Sequence, residues 1–148
     1  MKTTENVKIL NGLISILDDG KVGYTNAAEN CEDEALKTEF LTIARERALM
    51  IVQLQDEINN LGESTDATDG PLGAVHRVWI DFKSLITGSD NNAIIEACIT
   101  GEQYAIATFK KALDNKSFIA STETVVVSQL AMIERALAKI KSLKTIDA

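Results

Sequence analysis

Along residues 4–31 the apolar and small positions Val7, Leu10, Ile14, Leu17, Tyr24, Ala28 and Cys31 recur at alternating three- and four-residue steps. That spacing predicts one face of a helix. Asp18-Asp19-Gly20 and Gly23 weaken the local propensity, each internal glycine by about 1 kcal/mol relative to alanine. A turn at Asp19-Gly20 is the competing reading. The phase runs through these residues, so a single helix, bent at most, is expected.

Residues 33–61 repeat the pattern with Leu36, Phe40, Ile43, Met50, Leu54, Ile58 and Leu61, and Gly62 follows as a stop. A polar loop over 63–70 leads to Pro71, which suits a first helical turn. Leu72, Val75, Trp79, Phe82 and Ile86 then predict a shorter helix over 71–87, closed by Gly88. Ser89 or Asp90 is placed to cap the next helix. That helix, over 91–114, carries Ile95, Cys98, Ala105, Phe109 and Ala112. A last helix over 119–144 carries Val126, Leu130, Ile133, Leu137 and Ile140. Thr122, Val125 and Val127 are β-branched and blur its start.

The long helices, at 1.5 Å per residue, run roughly 35 to 44 Å. If the first runs up and the second down, the chain must regain the top before the last two run down and up. The loop and the 71–87 helix span that height. The expected fold is all-α: a four-helix bundle with a short helical crossover between the second and third long helices, the ferritin-like connection. The same pattern also fits a five-helix up-and-down bundle. Residues 1–148 are expected to form one domain, since the chain has 148 residues.

Composition narrows the function. Hydrophobic residues make up 45%, enough for a packed core, while 8 glycines and one proline are too few for an all-β fold. Fifteen Lys and Arg against 22 Asp and Glu leave a net charge of −7, which argues against nucleic acid or an anionic membrane as partner. No apolar run approaches the about 20 residues of a spanning helix, and the amphipathic start lacks a signal-peptide core. A soluble cytoplasmic protein is expected. Cys31 and Cys98 are too few for a disulfide framework, and both sit in apolar stripes, so they read as core packing.

Chemistry is sought where charge breaks a stripe. Glu102 lies between Cys98 and Ala105, Arg47 between Ile43 and Met50, Lys21 in an inward phase of the first helix, and His76 between Leu72 and Trp79. Helix rise puts all four roughly 15 to 21 Å below the top. A structural polar cluster of Arg47, Glu102, Lys21 and His76 is expected, with Glu102 neutralised by its cations. The rival is a metal site drawing on Glu102, His76, Glu46 and Asp19, with Asp18 and Glu134 as further oxygen donors. Ferritin-like di-iron centres need two Glu-x-x-His pairs. This chain has one histidine, His76, and Gly73 stands three residues before it. The full di-iron set is therefore absent. No Gly-rich phosphate loop, Cys-x-x-Cys or Gly-x-Ser-x-Gly occurs.

Leu10-Asn11-Gly12-Leu13-Ile14, Asp19-Gly20, Gly23-Tyr24, Ala27-Ala28, Arg47, Leu54-Gln55, Gly73, His76-Arg77, Trp79 and Gly101-Glu102, in that order, resemble a bacterial four-helix-bundle family. It is the domain of unknown function numbered twenty-three eighty-three, placed among ferritin-like folds. The resemblance covers nearly the whole chain and implies a fold, not a reaction. The sequence departs from that family's pattern at Gln53, Ala97 and Ile99, where acids are usual, and at Leu137, where a histidine is frequent. A non-catalytic structural, interaction or stress-associated bundle without a cofactor is expected. It is expected to form a homodimer through Ile9, Leu13, Leu49, Val52, Ile106 and Val127. The alternative is an oxidase-like protein using iron or manganese at a reduced carboxylate–His site. A third reading is a small apolar ligand in a core cavity beside Trp79 or Phe109.

Overall fold

The computed structural model describes residues 2–62, 91–114 and 117–144. They form four helices, α1 (Lys2–Asn30), α2 (Glu34–Asn60), α3 (Asn91–Asp114) and α4 (Ala120–Leu143). The described residues contain no strand. The predicted 71–87 helix, the crossover it was expected to form, and the Ser89 or Asp90 cap lie outside the described residues.

α1 is continuous through Asp19-Gly20, so the competing turn does not form. Its stripe is buried on both sides of the glycine, and that burial outweighs the glycine's cost. α2 starts at Asp33, whose carboxylate accepts from the Leu36 amide at 3.0 Å. It ends at Leu61 and Gly62, the latter at φ +83°, where a side chain would be strained.

Side-chain and backbone contacts fix the directions. Asn6 and Ser117 hold one another at one end of the bundle: Asn6 Nδ2 donates to the Ser117 carbonyl at 3.0 Å, and Ser117 Oγ donates to Asn6 Oδ1 at 2.8 Å. At the other end the Cys31 thiol donates to Asn91 Oδ1 at 3.5 Å. Thr122 Oγ1 donates to Glu57 Oε1 at 2.8 Å, and Lys144 pairs with Glu96. α1 therefore packs antiparallel on α2 and on α3, and α4 antiparallel on α2 and on α3. In cross-section the helices form a square with α1 opposite α4 and α2 opposite α3. Each diagonal pair is parallel. α2 ends at the Asn6 end, whereas α3 begins at the Cys31 end.

The core is filled by Leu10, Ile14, Leu17 and Tyr24 of α1, Phe40, Met50, Leu54 and Ile58 of α2, Cys98 and Phe109 of α3, and Val126, Ile133 and Ile140 of α4. Two expectations need correction. In α4 the buried positions are Val126, Gln129, Ile133, Ala136 and Ile140, while Leu130 and Leu137 are only half-buried. Both residues flank the true stripe by one position, about 100° of rotation. Leu13 is 1% exposed and belongs to the core rather than to an outer face, because residues 10–17 of α1 are buried all round.

Phe109 is fully buried, so Phe109→Ala is expected to cost about 3 to 5 kcal/mol by chemical denaturation. Val22→Ala, at a position 49% exposed, serves as the control and should change stability by less than about 0.5 kcal/mol.

Candidate functional site

The core is not apolar throughout. Arg47, on the buried face of α2, is 2% exposed, and Glu102, on the buried face of α3, is 1% exposed. Arg47 Nη1 donates to Glu102 Oε1 at 2.7 Å and Nη2 to Oε2 at 2.6 Å. This two-pronged pair joins the diagonal helices through the centre of the bundle. Both carboxylate oxygens accept from the planar guanidinium fork, the strongest geometry available to such a pair.

The surroundings fit the guanidinium. The Tyr24 ring lies with its centroid 5.7 Å from Arg47 Cζ, a cation–π distance, and Tyr24 in turn meets Phe40 at 6.0 Å. Gly20 of α1 faces the same group: a Cβ built there would sit 3.6 Å from Arg47 Nη1, ordinary contact. Burial alone would lower the Arg47 pKa, but the charge and hydrogen bonds of Glu102 reverse this and raise it. Burial, and then the negative charge of Glu102, push the Tyr24 phenol and the Cys98 thiol well above their ordinary values. Burial also raises the Cys31 thiol.

A second buried polar contact lies on α4. Gln129 is 1% exposed and donates Nε2 to the Met50 carbonyl at 3.0 Å and to Gln53 Oε1 at 2.9 Å. Its position between Val126 and Ile133 was the available signal, obscured by the one-position error in the α4 stripe. Tyr24 reads from sequence as packing alone; nothing local marks its ring as a seat for Arg47.

The structure thus joins Arg47 and Glu102 and leaves the other expected residues elsewhere. Lys21 is 41% exposed and pairs with Asp18 at 3.4 Å rather than joining the centre. Gly20 and Tyr24 hold the inward phase of α1, which turns Lys21 outward. Glu46 is half-buried and lines a shallow groove between α2 and α4 with Arg135. Asp19 is half-buried on α1, and Glu134 pairs with Lys110 at 3.9 Å on the surface. His76 and Trp79 lie outside the described residues.

The family model described as a domain of unknown function, DUF2383, matches residues 5–115. No curated protein matches. Among solved structures, a point mutant of Mycobacterium smegmatis Dps1 superposes with a TM-score of 0.79 at 11% identity, over 97% of each chain. The chain has the ferritin-like four-helix-bundle fold.

Some ferritin-like bundles hold a di-iron centre in the core. The described residues contain no group of three His, Cys, Asp or Glu able to hold a metal ion. Glu102 has both oxygens on a fixed cation, and a second cation beside Arg47 would be repelled. The described residues do not fit such a centre.

Three outcomes are expected. Arg47→Ala should destabilise by about 3 to 5 kcal/mol, and Arg47→Met with Glu102→Leu should recover most of that loss, as read from denaturant midpoints. Gly20→Ala should raise stability by about 0.5 to 1 kcal/mol, since the methyl group fits and the helix gains. Stability should be full at neutral pH and fall as pH rises past about 8.5 and then about 10. The unfolded chain releases its thiol and phenol protons there, before the folded one does. Cys98→Ala should flatten the first part of that fall and Tyr24→Phe the second, in denaturation series from pH 7 to 11.

Proposed function

The chain belongs to the DUF2383 family, and on that premise we propose that it is a non-catalytic structural or interaction protein, working as a homodimer in the cytoplasm. The observation that carries this reading is the closed Arg47–Glu102 pair. It stands at the centre of the bundle with the carboxylate already neutralised. A reaction centre needs a group left open to a substrate or an ion, whereas both oxygens of Glu102 are engaged by the Arg47 guanidinium. Glu102 and Arg47 are read as structural residues that hold helix register. Residues 1–148 are read as a single domain.

The partner surface is read from exposure. Leu49 is 67% exposed, Val52 51% and Val127 50%. The contacts of Gln129 with Met50 and Gln53 put Val52 and Val127 at one level of adjacent helices. Large apolar side chains on neighbouring helices favour covering by a copy of the same surface. Leu13 is withdrawn from that surface by its burial, and Ile9 and Ile106 are half-buried. The net charge of −7 disfavours nucleic acid as the partner.

Sedimentation equilibrium is expected to give twice the chain mass of 16.1 kDa, and Leu49→Glu with Val52→Glu to give monomer at unchanged helicity. Monomer alone at high micromolar concentration would remove the dimer. Protein purified without chelators is expected to carry far less than one metal ion per chain. Stoichiometric iron or manganese, lost in Glu102→Gln, would favour the oxidase-like alternative.

A further inference from the structure

The face of the bundle formed by α1 and α3, across the square from Leu49, Val52 and Val127, carries a trench of about 310 Å³. Half-buried Ile9 stands on the α1 side, and the buried Gly12, Leu13 and Ile16 of α1 and Ala112 of α3 form the floor. Gly12 contributes no side chain, which deepens the middle. The volume lies at the lower edge of the range for small-molecule sites.

Polarity along the trench is segregated. α1 and α3 are antiparallel, with Asn6 level with Ser117 and Cys31 level with Asn91. On that register Lys8 and Lys111, both on the rim, lie within about one helical turn of each other at the Asn6 end. Ile16 lies about 12 Å further along from Lys8. Both lysines are exposed, and neither has an ion-pair partner among the described residues. Two cations without an ion-pair partner among the described residues, at one end of an apolar trench, are the complement of an anionic head on a greasy tail.

We propose that this trench binds a single-chain amphiphile with a carboxylate head, a medium-chain fatty acid. The carboxylate sits against Lys8 and Lys111, and the alkyl chain lies over Ile9, Leu13 and Ile16 toward the middle of the bundle. The lysines set the direction of the ligand and the trench length limits its chain. Each methylene withdrawn from water tightens binding by up to about fourfold. The site shares Ile9 and Leu13 with the homodimer surface expected from sequence, but none of Leu49, Val52 and Val127, on which the dimer reading rests.

The test is isothermal titration of the full chain with hexanoate, octanoate and decanoate below their micelle concentrations. One saturable site per chain is expected, with affinity rising about two- to fourfold per added methylene. Lys8→Gln with Lys111→Gln should weaken octanoate at least tenfold, and so should Gly12→Leu, which fills the trench. Circular dichroism identifies any loss traceable to unfolding, and the lysine pair, being exposed, keeps the test available if Gly12→Leu fails to fold. Octanol should bind at least tenfold more weakly than octanoate. The proposal is overturned by absence of saturable binding, by binding indifferent to the lysine pair, or by equal affinity for octanol. Capture of anionic phospholipid vesicles without uptake of free decanoate would also overturn it.

Discussion

A guanidinium and a carboxylate held together in the buried core are the constraint to which the rest of this bundle conforms. Each ion costs several kcal/mol to desolvate, and only close, fully hydrogen-bonded contact with the other offsets that cost. Apolar seams alone tolerate small slides and rotations, because one leucine packs nearly as well as the next. The Arg47–Glu102 pair does not, since any shift of α2 against α3 leaves both charges bare. On the structural reading proposed above, the pair holds helix register, a role known for buried polar residues in coiled coils. Its neighbours follow from it. Gly20 of α1 faces the guanidinium, and the Tyr24 ring lies against it at a cation–π distance.

Much of this could be read from residue order, for definite reasons. Arg47 and Glu102 stood out because each interrupts an apolar stripe and helix rise sets them at one depth. The α3 stripe of Ile95, Cys98, Ala105, Phe109 and Ala112 is buried as its spacing requires. What failed turns on rotation by a single residue. Lys21 stands next to inward-facing Gly20, and stripe counting does not separate neighbours when glycines interrupt it. In α4 the small Ala136 and the polar Gln129 hold the inward positions that Leu130 and Leu137 seemed to claim by hydrophobicity. Leu13 was misplaced because α1 is covered on more sides than an ordinary amphipathic helix. Tyr24 offered no signal, as its partners come from other helices far away in sequence.

The contrast between fold and centre is instructive. The superposition on Dps1 spans nearly the whole chain at 11% identity, so the helix arrangement rests on the spacing of apolar positions rather than on particular side chains. The centre depends on a few positions instead. In this chain Ile99 is buried, Ala97 is half-buried beside it on α3, Leu137 is half-buried on α4, and Gln53 accepts from Gln129. Those positions support packing and a neutral hydrogen bond, which is consistent with a core organised around an internal ion pair.

The antiparallel packing of every neighbouring helix has an electrostatic consequence. Each end of the bundle gathers two helix N-termini on one diagonal and two C-termini on the other. With roughly half a unit of charge at each terminus, the corners alternate in sign and the axial dipoles cancel. The backbone dipoles of the four described helices give neither tip a net sign, only a quadrupole. Two copies meeting tip to tip would attract in one rotational setting and repel a quarter-turn away.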